Sequence, residues 1–140
     1  MNIQPLLEAS LMVQLHFATV VPAAFIGAVQ FLMVKGSAGH RIAGYLFMVL
    51  MLATSVFAFF IPSYQGGRFS FIHLFIIVTV AGIVRAWFAI RGGDVRSHAW
   101  ALAGVYFGAV LIAGYFTFLP GRTMHDMFIA TSEAASVTRK

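Results

Sequence analysis

Residues 15–62 read LHFATVVPAAFIGAVQFLMVKGSAGHRIAGYLFMVLMLATSVFAFFIP, and this stretch decides the fold because residues 72–120 repeat its plan. Each copy has a histidine near its start, a basic loop, a second histidine close to that loop, and an apolar run ending in Phe-x-Pro. Corresponding positions lie 57 or 58 residues apart, as in the pairs His16/His73, His40/His98 and Pro62/Pro120. A repeat at a nearly constant offset predicts one supersecondary unit that occurs twice.

The composition indicates a membrane protein. Of the 140 residues, 61% are hydrophobic and 9% are charged, with a mean hydropathy of +0.92. A soluble domain of this size would expose much of that apolar surface to water, because small folds bury only about two-thirds of theirs. The formal charge of +5 does not indicate a nucleic-acid partner, since the basic residues lie at the ends of apolar runs. The absence of cysteine excludes disulfides, thiolate catalysis and iron–sulfur ligation.

Four apolar runs predict four transmembrane helices. They lie near residues 11–34, 42–61, 71–90 and 99–119. Each has about 20 residues, the length that crosses a hydrocarbon core of ~30 Å as a helix. Short connections make consecutive helices antiparallel neighbours, so the expected fold is an all-α, up-down-up-down four-helix bundle in a single domain over residues 1–140. Residues 121–140 are expected to form a tail.

The distribution of basic residues predicts the orientation. The first and third connections and their flanks contain more of them than the second connection or the N-terminal tail. The residues on the basic side are Lys35, Arg41, Arg85, Arg91 and Arg96. By the positive-inside rule these loops are cytoplasmic and both termini lie outside.

The repeat places the histidines in two candidate pairs. Two hairpins that run in the same direction are related by a pseudo-twofold axis along the membrane normal. His16 and His73 then face each other across the axis near the outer surface, and His40 and His98 do so near the cytoplasmic surface. Such pairs suit haem iron, which takes one imidazole above the ring and one below, from diagonal helices. Without cysteine the haem is not covalently attached, so the sequence predicts one or two b-type haems.

Other interpretations of the same residues remain open. A histidine near a membrane interface is more often hydrogen-bonded than a ligand, and small residues along these helices are also what plain helix packing uses. Arg85 either extends to the cytoplasmic surface or pairs with a haem propionate or a quinone carbonyl. Gln14, Thr19 and Gln30 are further polar candidates for a quinone pocket. His125 has no counterpart in the repeat and is expected at the surface.

The chain resembles a bacterial family of small four-helix membrane proteins of unknown function. The residues that carry this likeness are Gln14-Leu15-His16, Lys35-Gly36, His40-Arg41, Ile72-His73, His98 and Leu119-Pro120-Gly121-Arg122. The resemblance implies a bacterial inner membrane. One histidine per helix also resembles transmembrane dihaem b-type cytochromes in architecture, although those proteins have more helices and an inner pair farther from the loop.

The predicted function is therefore a b-type cytochrome that passes electrons between a quinol or other small reductant and an acceptor. Two alternatives are retained. One is an accessory subunit without catalytic activity in a larger respiratory or photosynthetic complex, and the other is a small transporter of metal ions or protons. The sequence assigns no catalytic residue and leaves open whether the protein is an enzyme. Besides the lipid bilayer, the expected partners are a quinone, a larger membrane complex or further copies of the chain.

Overall fold

Four long helices dominate a computed structural model that describes residues 4–61 and 72–118. The helices are α1 (Gln4–Leu7), α2 (Leu11–Leu32), α3 (Ala38–Phe59), α4 (Ile72–Arg91), α5 (Val95–Val105), a π-helical segment (Tyr106–Ile112) and α6 (Ala113–Phe116). The last three run on without a break and form one spanning helix, Val95–Phe116. The predicted all-α four-helix fold is confirmed, and the described residues contain no strand.

All four long helices are apolar enough and long enough to cross a membrane. Their spans are Leu11–Leu32, Ala38–Phe59, His73–Arg91 and Val95–Phe116, with hydropathies between 1.7 and 2.1. The second and fourth spanning helices begin at Ala38 and Val95, four residues before the apolar runs that start near residues 42 and 99. Capping side chains explain the difference: Ser37 accepts a hydrogen bond from the amide of His40, and Asp94 accepts one from the amide of Ser97. Such caps allow each helix to begin in the polar loop, before its apolar run.

The helices form two hairpins that pack side by side. Helix α2 packs mainly on α3, and α4 packs mainly on α5. The hairpins meet where α3 contacts α4 and where the π segment contacts α2. Going round the bundle, α2 therefore lies diagonally across from α4, and α3 from the last spanning helix. This is the up-down-up-down arrangement expected from the short connections.

The two tight connections have the same local structure, which supports the repeat. Gly36 and Gly93 both have positive φ, of 78° and 81°, a region where glycine pays no steric penalty. Each is followed by the capping residue, Ser37 or Asp94, and then by the helix. Glycines, caps and helix starts all lie 57 residues apart. The offset of 57 is thus the structural register of the repeat at this end of the bundle.

A thin apolar core fills the middle of the bundle. Its buried members come from all four long helices. They are Ala23, Phe47, Met48, Met51, Ile83, Val105 and Val110. The outward faces remain apolar and exposed, as expected for helices that contact lipid on the outside. The core separates two polar regions, which we call the basic end (the end with the connections at 33–37 and 92–94) and the distal end (the end with His16, Phe59 and His73).

Candidate histidine sites

His16 lies in the second turn of α2 at the distal end and is half-buried. Its Nδ1 atom is 3.1 Å from the carbonyl oxygen of Thr54, on the neighbouring helix α3. A carbonyl only accepts hydrogen bonds, so the imidazole must carry a proton on Nδ1 to make this contact. In the neutral ring Nε2 then has a free lone pair. The contact therefore fixes both the orientation of the ring and the nitrogen that is able to bind a metal.

Two threonine hydroxyls surround this contact. The Oγ1 of Thr54 donates to the Oγ1 of Thr19 over 2.8 Å, and Thr19 Oγ1 lies 3.0 Å from the carbonyl oxygens of both Leu15 and His16. Thr54 is only 5% exposed, so its hydroxyl needs a partner inside the protein. Sequence reasoning missed Thr54. The signal was present, because an antiparallel hairpin with a turn at residues 33–37 brings residue 54 to the depth of residue 16.

His73 is the second residue of α4, also at the distal end, and is half-buried. Its ring stands edge-on to the ring of Phe59, with centroids 6.1 Å apart and planes at 78°. The structure therefore places His16 and His73 at the same end of the bundle on diagonal helices. They lie 57 residues apart, which matches the structural register of the repeat. Their joint ligation of a haem stays a prediction.

His98 lies in the first turn of α5 at the basic end. Its Nδ1 atom is 2.9 Å from the carbonyl oxygen of Ala86, on α4, and Ala86 is completely buried. The proton on Nδ1 and the lone pair on Nε2 follow from the same argument as for His16. His16 and His98, from different predicted pairs, thus each donate from Nδ1 to the main chain of the other helix in their own hairpin.

His40, the other member of this pair, is held differently. Its carbonyl oxygen accepts a 2.9 Å hydrogen bond from Nε2 of Gln30, while its own Nδ1 is buried without a partner within the described residues. The Oε1 of Gln30 is likewise buried and unpaired in that part of the chain. His40 and His98 both lie in the first turn of their helices, so the structure places the two histidines at the same end of the bundle.

The difference between His40 and His98 follows from the register of the repeat. His40 is the third residue of α3, whereas His98 is the fourth residue of α5. In the structural register Ser97 corresponds to His40, and Arg41 corresponds to His98. One residue along a helix is a rotation of about 100°. The two imidazoles thus leave their helices in different directions, which accounts for their different partners.

Arg85 lies on the outer surface of the second hairpin. Its side chain is exposed, and its Nε and Nη2 atoms both donate to Oγ of Ser97 at 3.3 Å. Among the described side chains of α4, the buried ones are Thr79, Ile83 and Ala86. A role of Arg85 beside a propionate or a quinone stays a prediction.

The remaining polar candidates have partners or lie beyond the described residues. The Nε2 of Gln14 donates to the carbonyl oxygens of Leu7 and Ala9, and so links the N-terminal segment to α2. His125, Pro62 and the tail at 121–140 lie outside the described residues. Within 4–61 and 72–118, no group of three or more histidine, aspartate or glutamate side chains is arranged to hold a metal ion. This observation does not bear on haem, which needs only two.

A model of predicted membrane proteins, the family DUF2306, matches residues 13–138. The chain belongs to this family. The resemblance to a family of small membrane proteins of unknown function is thereby confirmed, and so is the multi-pass membrane character expected from the apolar runs. Neither a curated protein nor a solved structure matches the chain. This DUF2306 member has its candidate histidines at the two ends of the bundle, His16 and His73 at the distal end and His40 and His98 at the basic end.

Proposed function

We propose that this DUF2306 protein is a transmembrane b-type cytochrome that passes electrons between a quinol or other small reductant and an acceptor. Its predicted axial ligands are His16 with His73 and His40 with His98. The observation that carries the proposal is that His16 and His98 each donate from Nδ1 to a main-chain oxygen of a neighbouring helix. Metal-binding histidines typically make this kind of outer contact, which fixes the tautomer and makes Nε2 a better donor.

The donor set fits a haem. Imidazole is a common axial ligand of haem iron, and diagonal helices of a bundle are able to supply one from each side. The His16/His73 pair combines two imidazoles with two diagonal helices. Helices α2 and α4 lie across the bundle from each other, and both rings are at the distal end. Thr54, Ser55 and Ala58 are the small, buried residues that α3 contributes at this end.

The unpaired atoms at the basic end support the second site. Buried polar atoms without partners are uncommon and call for an explanation. A hydrogen bond from Nδ1 of His40 to Oε1 of Gln30 would give both unpaired atoms a partner. The side-chain Nε2 of Gln30 already donates to the carbonyl oxygen of His40. His40 would then have its proton on Nδ1 and its lone pair on Nε2, like His16 and His98. We therefore assign Gln30 the role of orienting His40.

When bound, haem b supplies one-electron exchange at its iron. The residues of the chain have three tasks: to hold the rings through Thr54, Ala86 and Gln30, to keep water away with the apolar core, and to separate the two ends. From His16 to Gln30 is 14 residues of helix, or about 21 Å. Sites at the two ends would thus lie near opposite membrane surfaces. We place the protein in the bacterial inner membrane, with the basic end cytoplasmic, from the excess of Lys and Arg there.

The test is the visible spectrum of the purified protein, oxidised and reduced, with haem measured against protein. A reduced bis-histidine haem gives a sharp band in the green-yellow region. His16→Ala or His73→Ala is expected to remove one haem, and His40→Ala or His98→Ala the other. His125→Ala is the matched control, since this histidine has no counterpart in the repeat.

A protein that folds into the membrane but gives no such band after expression with ample haem would contradict the proposal. That result would favour an accessory subunit of a larger complex, or a transporter of metal ions or protons. A band that survives all four substitutions would show that haem binds elsewhere. Reduction by a quinol analogue, measured on the same band, then tests the electron donor.

A further inference from the structure

A groove runs along the outside of the second hairpin, between α4 and α5, and no role assigned above uses it. Its volume is about 380 Å³. The lining residues are Val78, Ala81, Gly82, Arg85, Trp100 and Ala101. Most of this lining is apolar and faces outward, so the groove opens toward the lipid and not toward the apolar core. Arg85 is the only charged residue among those that line the groove, and it lies at the end of the groove nearer the basic end of the bundle.

The groove exists because small residues meet where the two helices cross. Gly82 lies directly against the side chain of Val105, and even a methyl group at this position would collide with it. One turn away, the Val78 side chain approaches Gly108. Because the helices approach closely at Gly82, the groove remains on their outer side. Small residues form its floor, and Val78 and Trp100 form its sides. At the basic end the hydrogen bonds from Arg85 to Ser97 close it.

No acidic side chain in the described part of the chain neutralises the positive charge of Arg85. Within the described residues its side chain bonds only the neutral hydroxyl of Ser97, and neither Glu8 nor Asp94 forms an ion pair with it. Two of its five N–H groups are used in this way, and three remain. Arg85 lies six residues before Arg91, the end of α4, which is about 9 Å along the helix. From this depth the long side chain of an arginine extends toward the head-group region.

Trp100 is a second residue of the groove with the character of the membrane interface. Its side chain is 70% exposed, beside the cationic end of the groove. Tryptophan is enriched at the membrane interface because the ring is apolar and its N–H is polar. An exposed tryptophan next to an uncompensated arginine, above an apolar groove, matches the amphipathic shape of a lipid: an anionic head, an interfacial backbone and an acyl chain.

We propose that this groove binds one anionic phospholipid. Its phosphate accepts hydrogen bonds from the free N–H groups of Arg85, and its acyl chain lies along Gly82, Ala81 and Val78 toward the middle of the membrane. Guanidinium groups bind phosphate oxygens in a fork, and basic pockets between transmembrane helices bind anionic head groups. The net charge of +5 draws anionic lipids to the protein in general, and the groove gives one of them a defined position.

The experiment uses the fact that the chain has only two tryptophans, Trp87 and Trp100. The Trp87→Phe protein, in phosphatidylcholine vesicles, has Trp100 as its only tryptophan reporter. Brominated phosphatidylglycerol or brominated phosphatidylcholine is added at equal fractions, and quenching of Trp100 is compared. We expect phosphatidylglycerol to have about a fivefold higher relative binding constant, as for one arginine near an anionic head group. The Trp100→Phe protein is the internal control, because Trp87 packs against Arg91 and Tyr45 and does not line the groove.

Three variants distinguish a site from general attraction. Arg85→Gln is expected to abolish the preference, and Arg96→Gln, an exposed arginine outside the groove, is expected to keep it. Ala81→Phe fills the groove and leaves Arg85 and Arg96 in place, so it is expected to reduce the quenching of Trp100 by both brominated lipids. The proposal is overturned if the two lipids quench Trp100 equally, if Arg85→Gln keeps the preference, or if Arg96→Gln removes as much of it as Arg85→Gln.

Discussion

The Nδ1 atom of His16 lies 3.1 Å from the main-chain oxygen of Thr54, on the adjacent helix of the same hairpin. The main chain of α3 thereby determines which nitrogen of a histidine on α2 is free. Side-chain hydroxyls reinforce the contact, since Thr54 also donates to Thr19, three residues along the helix from His16. The histidine and the two threonines therefore form one unit that links the first hairpin at the distal end.

A double-mutant cycle measures this link. Thr19→Val and Thr54→Val each remove one partner of the 2.8 Å hydroxyl contact with little change in volume. Each is expected to lower the free energy of unfolding by about 0.6 kcal/mol, the average for a side-chain hydrogen bond between membrane helices. The double variant should cost clearly less than the two single costs together. The measurement is unfolding of the protein in micelles.

Ser55→Ala supplies the control for that cycle. The hydroxyl of Ser55 donates to the carbonyl of Met51 in its own helix and makes no contact with α2 through this bond. Combined with Thr19→Val, it is expected to be additive. If Thr19→Val and Thr54→Val were also additive, the hydroxyl contact would contribute nothing to the pairing of α2 and α3.

Gly27 determines how closely α2 packs in the middle of the bundle. A methyl group at this position would lie 2.6 Å from the ring of Tyr106 and 2.9 Å from the ring of Phe47. Gly27→Ala is therefore expected to lower the free energy of unfolding by about 1–3 kcal/mol, the usual cost of overpacking. Gly104→Ala is the matched control, because nothing lies within 4 Å of the added methyl group. Its stability should be unchanged or higher, since alanine favours a helix. Equal losses in both variants would mean that packing at Gly27 is loose.

Much of this fold could be predicted from the sequence, for identifiable reasons. Apolar runs of about 20 residues specify spanning helices, and short connections specify antiparallel neighbours. The histidine contacts could not be predicted in the same way. The partners of His16 and His98 are main-chain oxygens of Thr54 and Ala86, and every residue has such an oxygen. Which one is reached depends on the axial register of two helices to within a few ångström, and hydropathy does not determine that register.

The two tight turns give a prediction about backbone conformation alone. Gly36 and Gly93 have φ of 78° and 81°, and a methyl group on either would meet nothing within 4 Å. The cost of alanine at either position is therefore that of the left-handed conformation alone, about 1–2 kcal/mol. Gly36→Ala and Gly93→Ala are expected to cost similar amounts, because the turns are equivalent in the repeat. Gly114→Ala, in a helix with open space around it, is expected to cost nothing. Unfolding in micelles checks all three, and a cost-free Gly93→Ala would show that the turn has another conformation.

The π segment Tyr106–Ile112 has no counterpart in α3, which is α-helical throughout. Helix starts and helix ends of the two copies both lie 57 residues apart, and the offset of 58 applies only to the prolines, outside the described residues. A π turn is the form in which a helix accommodates one extra residue, so the fourth spanning helix contains one residue more than regular α-helical turns would hold over the same length. Deletion of Leu111, an exposed residue of this segment, is expected to convert the turn to α-helix and leave the protein folded in the membrane. Deletion of Val49, also apolar and exposed but in the regular helix α3, would rotate the following residues by about 100° and remove Thr54 from His16. Folded yield and unfolding in micelles compare the two deletions. If the Leu111 deletion proved as damaging as the Val49 deletion, the π turn would not be the place where the extra residue is accommodated.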